Sequence, residues 1–250
     1  MKRFIPNALT LLNLSSGIIA VIFAVQGNLV LAAYFVFAGV FFDFFDGMAA
    51  RLLNVQGELG LQLDSLADVV TAGVVPGIVL YQLFQLSMGQ NYIEGADILG
   101  LHPLDSFSGI NLLPFLGILV SLGSAYRLAK FNIDDQQTSS FVGLPTPANA
   151  LLILSLPLML YYQPGAFDAL ILNKWFLIAL TLFSTYILNA RIPLFALKFK
   201  TWGFQENALR YVFLICSLLL LILLQYAGIP LIIILYILLS IWSNYSRKVD

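Results

Sequence analysis

The sequence is poor in charged residues, which a water-soluble protein needs at its surface. Only 10% of its 250 residues are charged, 60% are apolar, and the mean hydropathy is +0.91. Since soluble domains carry about 25% charged residues, this composition excludes an ordinary globular protein. The net charge is −1 and the basic residues form no patch interleaved with aromatic side chains, so nucleic acid is not expected as a partner.

Cysteine and histidine are also scarce. The chain has one cysteine, Cys216, in an apolar stretch, and one histidine, His102, in a polar stretch. A single cysteine excludes a disulfide framework and a soft-metal site, so we interpret Cys216 as a packing residue. We interpret His102 as a solvated loop residue.

Long apolar stretches dominate what the sequence does contain. Stretches long enough to cross a bilayer recur throughout, and no linker, low-complexity segment or internal repeat separates them. The pattern predicts an all-α fold, a polytopic transmembrane helix bundle of about eight spans that forms a single membrane domain over residues 1–250. We expect the spans at roughly 8–27, 29–53, 60–86, 109–131, 147–163, 173–190, 207–226 and 228–245.

The positions of the basic residues predict how these spans are oriented. With the N-terminus inside, eleven of the 12 Lys and Arg residues fall on the cytoplasmic side, and only Lys174 falls outside. This distribution follows the positive-inside rule, so we expect an integral protein of the inner membrane with both termini cytoplasmic. No convincing small-residue cleavage site follows Lys2 and Arg3, so the first span is expected to be retained.

Four aspartates stand at the ends of the second and third spans: Asp43, Asp46, Asp64 and Asp68. A carboxylate at the centre of a membrane helix costs about 2.5–3.5 kcal/mol, so four are hard to keep without bound cations. Residues three or four apart share one face of a helix, which places two carboxylates on each span. Because the connection 54–58 is short and polar, the two helices should be antiparallel neighbours whose four carboxylates converge.

Hard divalent cations suit such a group of carboxylates. Mg²⁺ and Mn²⁺ prefer oxygen ligands, and four carboxylates can share two ions. A two-metal site can stabilise both the attacking and the leaving oxygen of a phosphoryl displacement. We therefore predict two Mg²⁺ or Mn²⁺ ions and a diphosphate substrate at the cytoplasmic face. A buried ion network with Arg51 and a cation pathway are the alternatives.

Three small residues, Gly47, Ala50 and Gly60, lie on the same helix faces as the aspartates. Small residues allow two membrane helices to pack closely. They also leave room for a flat or bulky ligand group against the helix. The sequence is compatible with either role, or with both.

At these residues the chain resembles the CDP-alcohol phosphotransferase family. The family signature is D-x-x-D-G-x-x-A-R, eight variable residues, then G-x-x-x-D-x-x-x-D. It is matched at every specified position, by Asp43, Asp46, Gly47, Ala50, Arg51, Gly60, Asp64 and Asp68. The resemblance implies that a substituted phosphate is transferred from a CDP-linked donor to an alcohol, with release of CMP. It also implies that the four aspartates hold the two ions and that Asp68 is the general base.

The resemblance further implies a nucleotide site. Gly47 and Ala50 would border the cytidine, and Arg51 would lie near it. We extend the predicted nucleotide-binding set by Gly60 and by two polar residues of the first span, Asn7 and Thr10. Asn7, Thr10 and Asn13 lie on one stripe of the first span, and each could either contact the nucleotide or hydrogen-bond to a neighbouring helix. We favour a mixture of the two roles.

Flanking segments resemble the membrane-integral phosphatidylserine synthase branch of this family, which uses CDP-diacylglycerol and L-serine. These segments are residues 6–13, 127–132, 141–149 and 189–198. The resemblance covers about residues 4–200, the expected catalytic core, while two additional spans at about 207–245 add little. It implies a homodimer in the lipid bilayer. Arg127, Lys130 and Arg191 become candidates for binding the serine carboxylate or the lipid phosphate, although basic residues also snorkel at helix ends.

Two other functions remain open. The acceptor could be another alcohol, such as glycerol 3-phosphate, inositol phosphate or an amino alcohol, although a phosphorylated acceptor should demand a denser cationic pocket. The second open function is that of a divalent-cation transporter. Transporters, however, often build their ion sites from two matched halves of the chain. Here the acidic cluster occurs once in the sequence.

Overall fold

The structure is a computed structural model that describes residues 2–89, 111–133, 141–195 and 203–246. His102, the first residues of the fourth predicted span and the basic residues Lys198, Lys200, Arg247 and Lys248 lie outside these ranges. Within them all regular secondary structure is helical apart from one pair of two-residue strands, so the predicted all-α class is confirmed for the described residues.

The first two helices form a hairpin. Helix α1 spans Phe4–Val25 and α2 spans Leu29–Leu52. The turn between them uses Gly27, whose φ is 78°, a left-handed conformation that glycine adopts without strain. The side chain of Asn28 then caps α2 by accepting a hydrogen bond from the backbone N–H of Leu31.

The third helical stretch contains a wide turn directly after Asp68. Helix α3, Glu58–Asp68, continues as a π-helical segment, Val69–Val74, and then as α4, Val75–Ser87. Pro76 has no N–H to donate to the preceding turn, which favours a change of hydrogen-bond register at this point. The Ser121 hydroxyl donates a hydrogen bond to the carbonyl of Gly73 in the same segment, at 2.9 Å.

The remaining elements surround these three stretches. A 3₁₀ segment, Leu113–Gly117, leads into α5, Ile118–Ile133. Strand β1, Phe141–Val142, pairs antiparallel with β2, Pro193–Leu194, and Phe141 lies opposite Leu194. The other elements are α6 Thr146–Tyr162, α7 Asp168–Ile171, α8 Lys174–Asn189, α9 Phe204–Leu224, the 3₁₀ turn Gln225–Ala227 and α10 Gly228–Ser246.

Four helical stretches of the described chain are long and apolar enough to cross a membrane: Phe4–Val25, Leu29–Leu52, Glu58–Ser87 and Asn207–Tyr245. The fourth stretch folds back on itself as the two helices α9 and α10. The turn between them contains Gln225, whose φ is 50°, and Gly228, where a Cβ would lie 2.6 Å from the Leu220 carbonyl oxygen. Helices α6 and α8, with 17 and 16 residues, are apolar but shorter. The count of eight spans and the cytoplasmic termini stay predictions.

The apolar residues are distributed as a membrane protein requires. One buried cluster joins α1, α2, α4 and α6, with Ala24, Val36, Leu83 and Ile153 among its fully buried members. Many large apolar side chains nevertheless point outward; Ile222 on α9, for example, is 66% exposed. Exposed apolar faces on long helices suit contact with lipid rather than water.

Candidate active site and metal centre

Three aspartates from two helical stretches converge on one point. Each of Asp43 on α2 and Asp64 and Asp68 on α3 offers a carboxylate oxygen, and these three atoms lie within 4.8 Å of one another. The predicted convergence of the two acidic stripes is therefore observed for these three residues. Carboxylates at such distances repel one another unless a cation lies between them.

Helix α1 packs against both α2 and α3 and supplies hydrogen bonds to the aspartates. The Asn13 amide donates from Nδ2 to Oδ1 of Asp68 at 3.1 Å, and Asn13 is fully buried. Of the two roles that the sequence leaves open for Asn13, the structure shows a hydrogen bond to a neighbouring helix. Asn7, Thr10 and Asn13 recur every three residues, and this spacing indicates that one polar face of α1 points towards the site.

Asp46 stands apart from the group of three. It is buried, and its Oδ2 accepts a hydrogen bond of 2.5 Å from the hydroxyl of Thr10 on α1. Thr10 is thus a partner of an aspartate in this structure. The predicted roles of Asp46 as a metal ligand and Thr10 as a nucleotide-binding residue stay predictions.

The three converging carboxylates fit a hard divalent cation. Oδ1 of Asp64 is buried and has no hydrogen-bond partner among the described residues, so this oxygen is available as a ligand. Clustered carboxylate oxygens are the donors that Mg²⁺ and Mn²⁺ prefer. Arg51, the proposed centre of an alternative ion network, is exposed and donates from Nε to the carbonyl of Gly47 at 2.9 Å.

The small residues on the acidic helices are not tightly packed. A Cβ on Gly47 would meet no atom closer than Nη2 of Arg51 at 4.0 Å, and one on Gly60 would meet Oδ1 of Asn7 at 3.7 Å. By contrast, a Cβ on Gly17 or Gly39 would lie 2.3 Å or 2.6 Å from Thr71 side-chain atoms. Close helix packing therefore accounts for Gly17 and Gly39 but not for Gly47 and Gly60.

Helix α5 fixes the position of α3 from the other side. The Ser65 hydroxyl donates to Oδ1 of Asn132 at 3.0 Å, and Nδ2 of Asn132 donates to Oε1 of Gln62 at 3.2 Å. Ser65 follows Asp64 directly in the chain, so these two bonds restrict how α3 rotates about its axis. Nothing in the sequence pattern distinguished Asn132 as a residue that positions the site.

The three predicted acceptor-site cations have different environments. Arg127 is buried and donates from Nη1 to the Thr146 hydroxyl at 3.2 Å. Lys130 is half-buried and lines, with Arg127 and Asn189, a cavity of about 20 Å³, roughly the space of one water molecule. Arg191 is exposed between α8 and β2. Of the three, Arg127 is the one that is buried inside the protein.

Comparisons with known proteins identify the family that the chain resembles. A family model described as CDP-alcohol phosphatidyltransferase matches residues 3–187. The chain is 35% identical to a CDP-diacylglycerol–serine O-phosphatidyltransferase of Bacillus subtilis (strain 168) over 159 residues, which are 61% of this chain and 76% of the relative. It is 29% identical to the Helicobacter pylori (strain ATCC 700392 / 26695) protein of the same name over 214 residues, 84% and 79% of the two chains. An archaetidylserine synthase of Methanothermobacter thermautotrophicus is 32% identical over 162 residues, 64% and 60% of the two chains.

Proposed function

The chain belongs to the CDP-alcohol phosphatidyltransferase family, and we propose that it transfers the phosphatidyl group of CDP-diacylglycerol to L-serine, giving phosphatidylserine and CMP. The observation that carries this proposal is the convergence of Asp43, Asp64 and Asp68 within 4.8 Å. These residues lie in the segment that the family model matches. The chain therefore has a group of carboxylates that could carry out the family's reaction.

The names of the relatives support serine as the acceptor. The Bacillus subtilis and Helicobacter pylori relatives are named for transfer from CDP-diacylglycerol to serine, and the archaeal relative is named archaetidylserine synthase. These names differ in the lipid but share serine. They favour serine over glycerol 3-phosphate, inositol phosphate or another amino alcohol.

Asp43, Asp46, Asp64 and Asp68 would hold two Mg²⁺ or Mn²⁺ ions, whose charge neutralises the diphosphate and makes CMP a better leaving group. The three converging carboxylates and the unpartnered Oδ1 of Asp64 support this assignment. Thr10 orients Asp46 through its hydroxyl, and Ser65, held by Asn132, restrains the helix that carries Asp64.

Asp68 is the proposed general base. Asn13 holds one of its oxygens, which fixes the carboxylate while the other oxygen takes the proton of the serine hydroxyl. The serine oxygen then bonds to the phosphorus that carries diacylglycerol, and the bond from this phosphorus to the bridging oxygen of the diphosphate breaks. CMP leaves with that oxygen. Most of the catalysis is positioning and electrostatic stabilisation, as in other phosphoryl transfers.

The nucleotide is proposed to bind beside the aspartates. The open space next to Gly47 supports this location, and the residues assigned to it are Asn7, Thr10, Gly47, Ala50, Arg51 and Gly60. The site would face the cytoplasm from the inner membrane, with the acyl chains of the donor in the bilayer. The protein is proposed to act as a homodimer, as the family resemblance implies.

A reconstituted assay tests the proposal. Purified protein receives CDP-diacylglycerol with L-serine, glycerol 3-phosphate, inositol phosphate or ethanolamine, and CMP and the lipid product are measured with Mg²⁺, with Mn²⁺ and after chelation. We expect serine-dependent release of CMP that chelation abolishes. Turnover with one of the other alcohols but not with serine would overturn the serine assignment.

The variant Asp68→Asn tests the catalytic role in the same assay. It keeps the shape of the side chain but cannot accept the proton, so we expect kcat to fall by about 10²–10⁴. Glu58→Gln, an exposed acidic residue on the same helix, is the matched control and should retain normal turnover. An Asp68→Asn protein with normal kcat would remove Asp68 from the role of base.

A further inference from the structure

Thr71 is a buried polar residue that the proposed mechanism does not use. It lies in the π-helical segment Val69–Val74, three positions after Asp68, and is 1% exposed. Its hydroxyl donates a hydrogen bond to the backbone carbonyl of Asn13 on α1 at 3.2 Å. Thr71 therefore connects the helical stretch that carries Asp68 to the helix whose amide side chain holds that aspartate.

Two glycines form the space that Thr71 occupies. On α1, a Cβ on Gly17 would lie 3.0 Å from Cα of Thr71. On α2, a Cβ on Gly39 would lie 2.6 Å from Cγ2 of Thr71 and 2.9 Å from Oδ1 of Asn13. The three helical stretches therefore meet at Thr71 with no room for an added carbon atom on either neighbour. This close packing fixes the position of the Thr71 side chain.

The two glycines lie on the helix faces that carry residues of the site. Gly17 is one helical turn after Asn13 on α1, and Gly39 is one turn before Asp43 on α2. Residues four positions apart share one face of a helix. The tight contacts with Thr71 are therefore about one helical turn from the group of three aspartates.

The wide turn that contains Thr71 has its own hydrogen-bond geometry. The backbone N–H of Val75 donates to the carbonyl of Val70, five residues back instead of four. Such turns are rare inside α-helices and are frequently found at functional sites. The segment contacts α1, α2, α5 and α6, and its Gly73 carbonyl accepts a hydrogen bond from the Ser121 hydroxyl. Asp68 is thus the last residue before a stretch that packs against four helices.

Two hydrogen bonds and the chain between Asp68 and Thr71 close a ring. The Thr71 hydroxyl binds the backbone of Asn13, and the Asn13 side chain donates from Nδ2 to Oδ1 of Asp68 at 3.1 Å. The first bond fixes where the backbone of α1 stands relative to the π-helical segment. The second bond depends on that position, because a side-chain hydrogen bond is lost when its atoms move to about 3.6 Å apart. A shift of α1 by roughly half an ångström would therefore release the Asp68 carboxylate.

We propose that Thr71 is a positioning residue for the transfer reaction, which acts through Asn13 to hold the Asp68 carboxylate in its reactive orientation. This inference rests on the proposed function, because it assumes that Asp68 takes the proton of the acceptor. The Thr71 hydroxyl sets the position of α1 against the π-helical segment, and Asn13 transmits that position to one oxygen of Asp68. Since proton transfer and attack require a narrow geometry, a small misorientation of the carboxylate slows the reaction.

The hydroxyl and the methyl group of Thr71 have separate roles. The methyl carbon Cγ2 fills the space beside Gly39, which is a packing role. The hydroxyl is not needed to satisfy the Asn13 carbonyl, because in an α-helix this oxygen accepts from the N–H four residues later, which here is that of Gly17. A valine side chain would fill the same space without a polar atom. The two roles can therefore be separated by substitution.

The variants Thr71→Val and Thr71→Ser form the test. Thr71→Val loses the hydrogen bond and keeps the shape, so we expect kcat to fall about fivefold, while the KM values for L-serine and CDP-diacylglycerol stay unchanged. Thr71→Ser keeps the hydroxyl, so we expect normal kcat but a lower unfolding temperature, because the missing methyl group leaves a small cavity. Thr181→Val is the matched control, since Thr181 is a buried residue of α8 whose hydroxyl donates to the Leu177 carbonyl at 2.7 Å. It should keep wild-type kinetics.

A double-mutant cycle tests whether the effect passes through Asn13. If it does, Thr71→Val should lower kcat in the wild-type background but not in an Asn13→Ala background, because the amide that transmits the effect is already absent. Independent actions of the two residues would instead give losses that multiply.

Each outcome decides one question. A lower kcat in Thr71→Val, a normal kcat in Thr71→Ser and no further loss in the double variant support the positioning role. Normal kcat in Thr71→Val, an equal loss in Thr71→Ser, a change confined to KM or multiplying losses would overturn it and leave Thr71 as a packing residue. Should Thr71→Val fail to fold, Thr71→Ala replaces it, and Thr71→Ser then controls for the missing methyl group.

Failure of the proposed function gives a different result. A wild-type protein that uses another alcohol but not serine would overturn the serine assignment, and the Thr71 variants would then be compared with that alcohol. The positioning role stands or falls on the ratio of variant to wild-type kcat, whichever alcohol is used.

Discussion

At the scale of single residues, the site depends on polar side chains of α1 that hold two of the aspartates. Thr10 donates to Asp46, and Asn13 donates to Asp68. Uncharged donors can orient carboxylates without competing with a divalent cation for them, whereas a lysine or arginine would neutralise the charge that the cation needs. The first helix is therefore part of the proposed catalytic site as well as of the membrane domain.

The variant Asn13→Ala tests this orientation. Without the amide, Asp68 loses a buried hydrogen bond, and we expect kcat to fall about tenfold with little change in either KM. Turnover of CDP-diacylglycerol with L-serine measures the effect. Ser15→Ala, an exposed residue on the same helix, is the control and should behave like the wild type. Normal kcat in Asn13→Ala would show that Asp68 needs no support from α1.

Two glycine variants separate close packing from ligand binding. In Gly17→Ala the new Cβ would collide with Thr71, and we expect a loss of about 1–3 kcal/mol in stability, seen as a lower unfolding temperature. In Gly47→Ala the new Cβ meets nothing closer than 4.0 Å, so the protein should fold normally. If Gly47 borders the nucleotide, the KM for CDP-diacylglycerol should rise several-fold. An unchanged KM would remove Gly47 from the nucleotide site.

At the scale of helices and strands, the C-terminal hairpin formed by α9 and α10 supports elements near the site, although it lies outside the segment that the family model matches. Tyr236 on α10 donates from its hydroxyl to the carbonyl of Phe195 at 2.9 Å, and Nδ2 of Asn244 donates to the carbonyl of Pro193 at 2.6 Å. These carbonyls belong to β2 and the residue after it, and β2 pairs with β1 just before α6 begins. The hairpin thus steadies the start of α6, where Thr146 accepts a hydrogen bond from Arg127.

The variant Tyr236→Phe tests this bracing. It removes one hydrogen bond and keeps the ring, so we expect a loss of about 1 kcal/mol in stability and a modest rise in the KM for L-serine. Thermal unfolding in detergent and steady-state kinetics measure the two effects. Tyr245→Phe on the same helix is the control, since Tyr245 is 71% exposed. A stability and a KM equal to those of the wild type would show that α10 does not support the site.

At the scale of the whole molecule, the orientation in the membrane decides where substrates enter. Eight spans would put both termini on one side, and the distribution of basic residues predicts that this side is the cytoplasm. Fusions of a cytoplasm-active fluorescent protein and of a periplasm-active phosphatase to each terminus test this. We expect fluorescence and no phosphatase activity from either end. Phosphatase activity at one terminus would mean an odd number of spans.

The acidic signature was readable in the sequence because its chemistry is local. Asp43, Asp46, Asp64 and Asp68 recur at helical spacing on either side of a short connection, and this spacing alone predicts shared faces and convergence. The apolar composition likewise determined an all-helical membrane protein, since the backbone groups of a lipid-exposed segment are satisfied within a helix.

Only the tertiary structure decided which partner each aspartate has. Asn13 and Asp68 are 55 positions apart, and Asn132 and Ser65 are 67 apart, so no local pattern links them. Packing of α1 against α2 and α3 gives Asp46 and Asp68 their partners Thr10 and Asn13, and packing of α5 against α3 joins Asn132 to Ser65. Such contacts depend on how whole helices rotate and cross, which is set by long-range packing rather than by the spacing of residues along one helix.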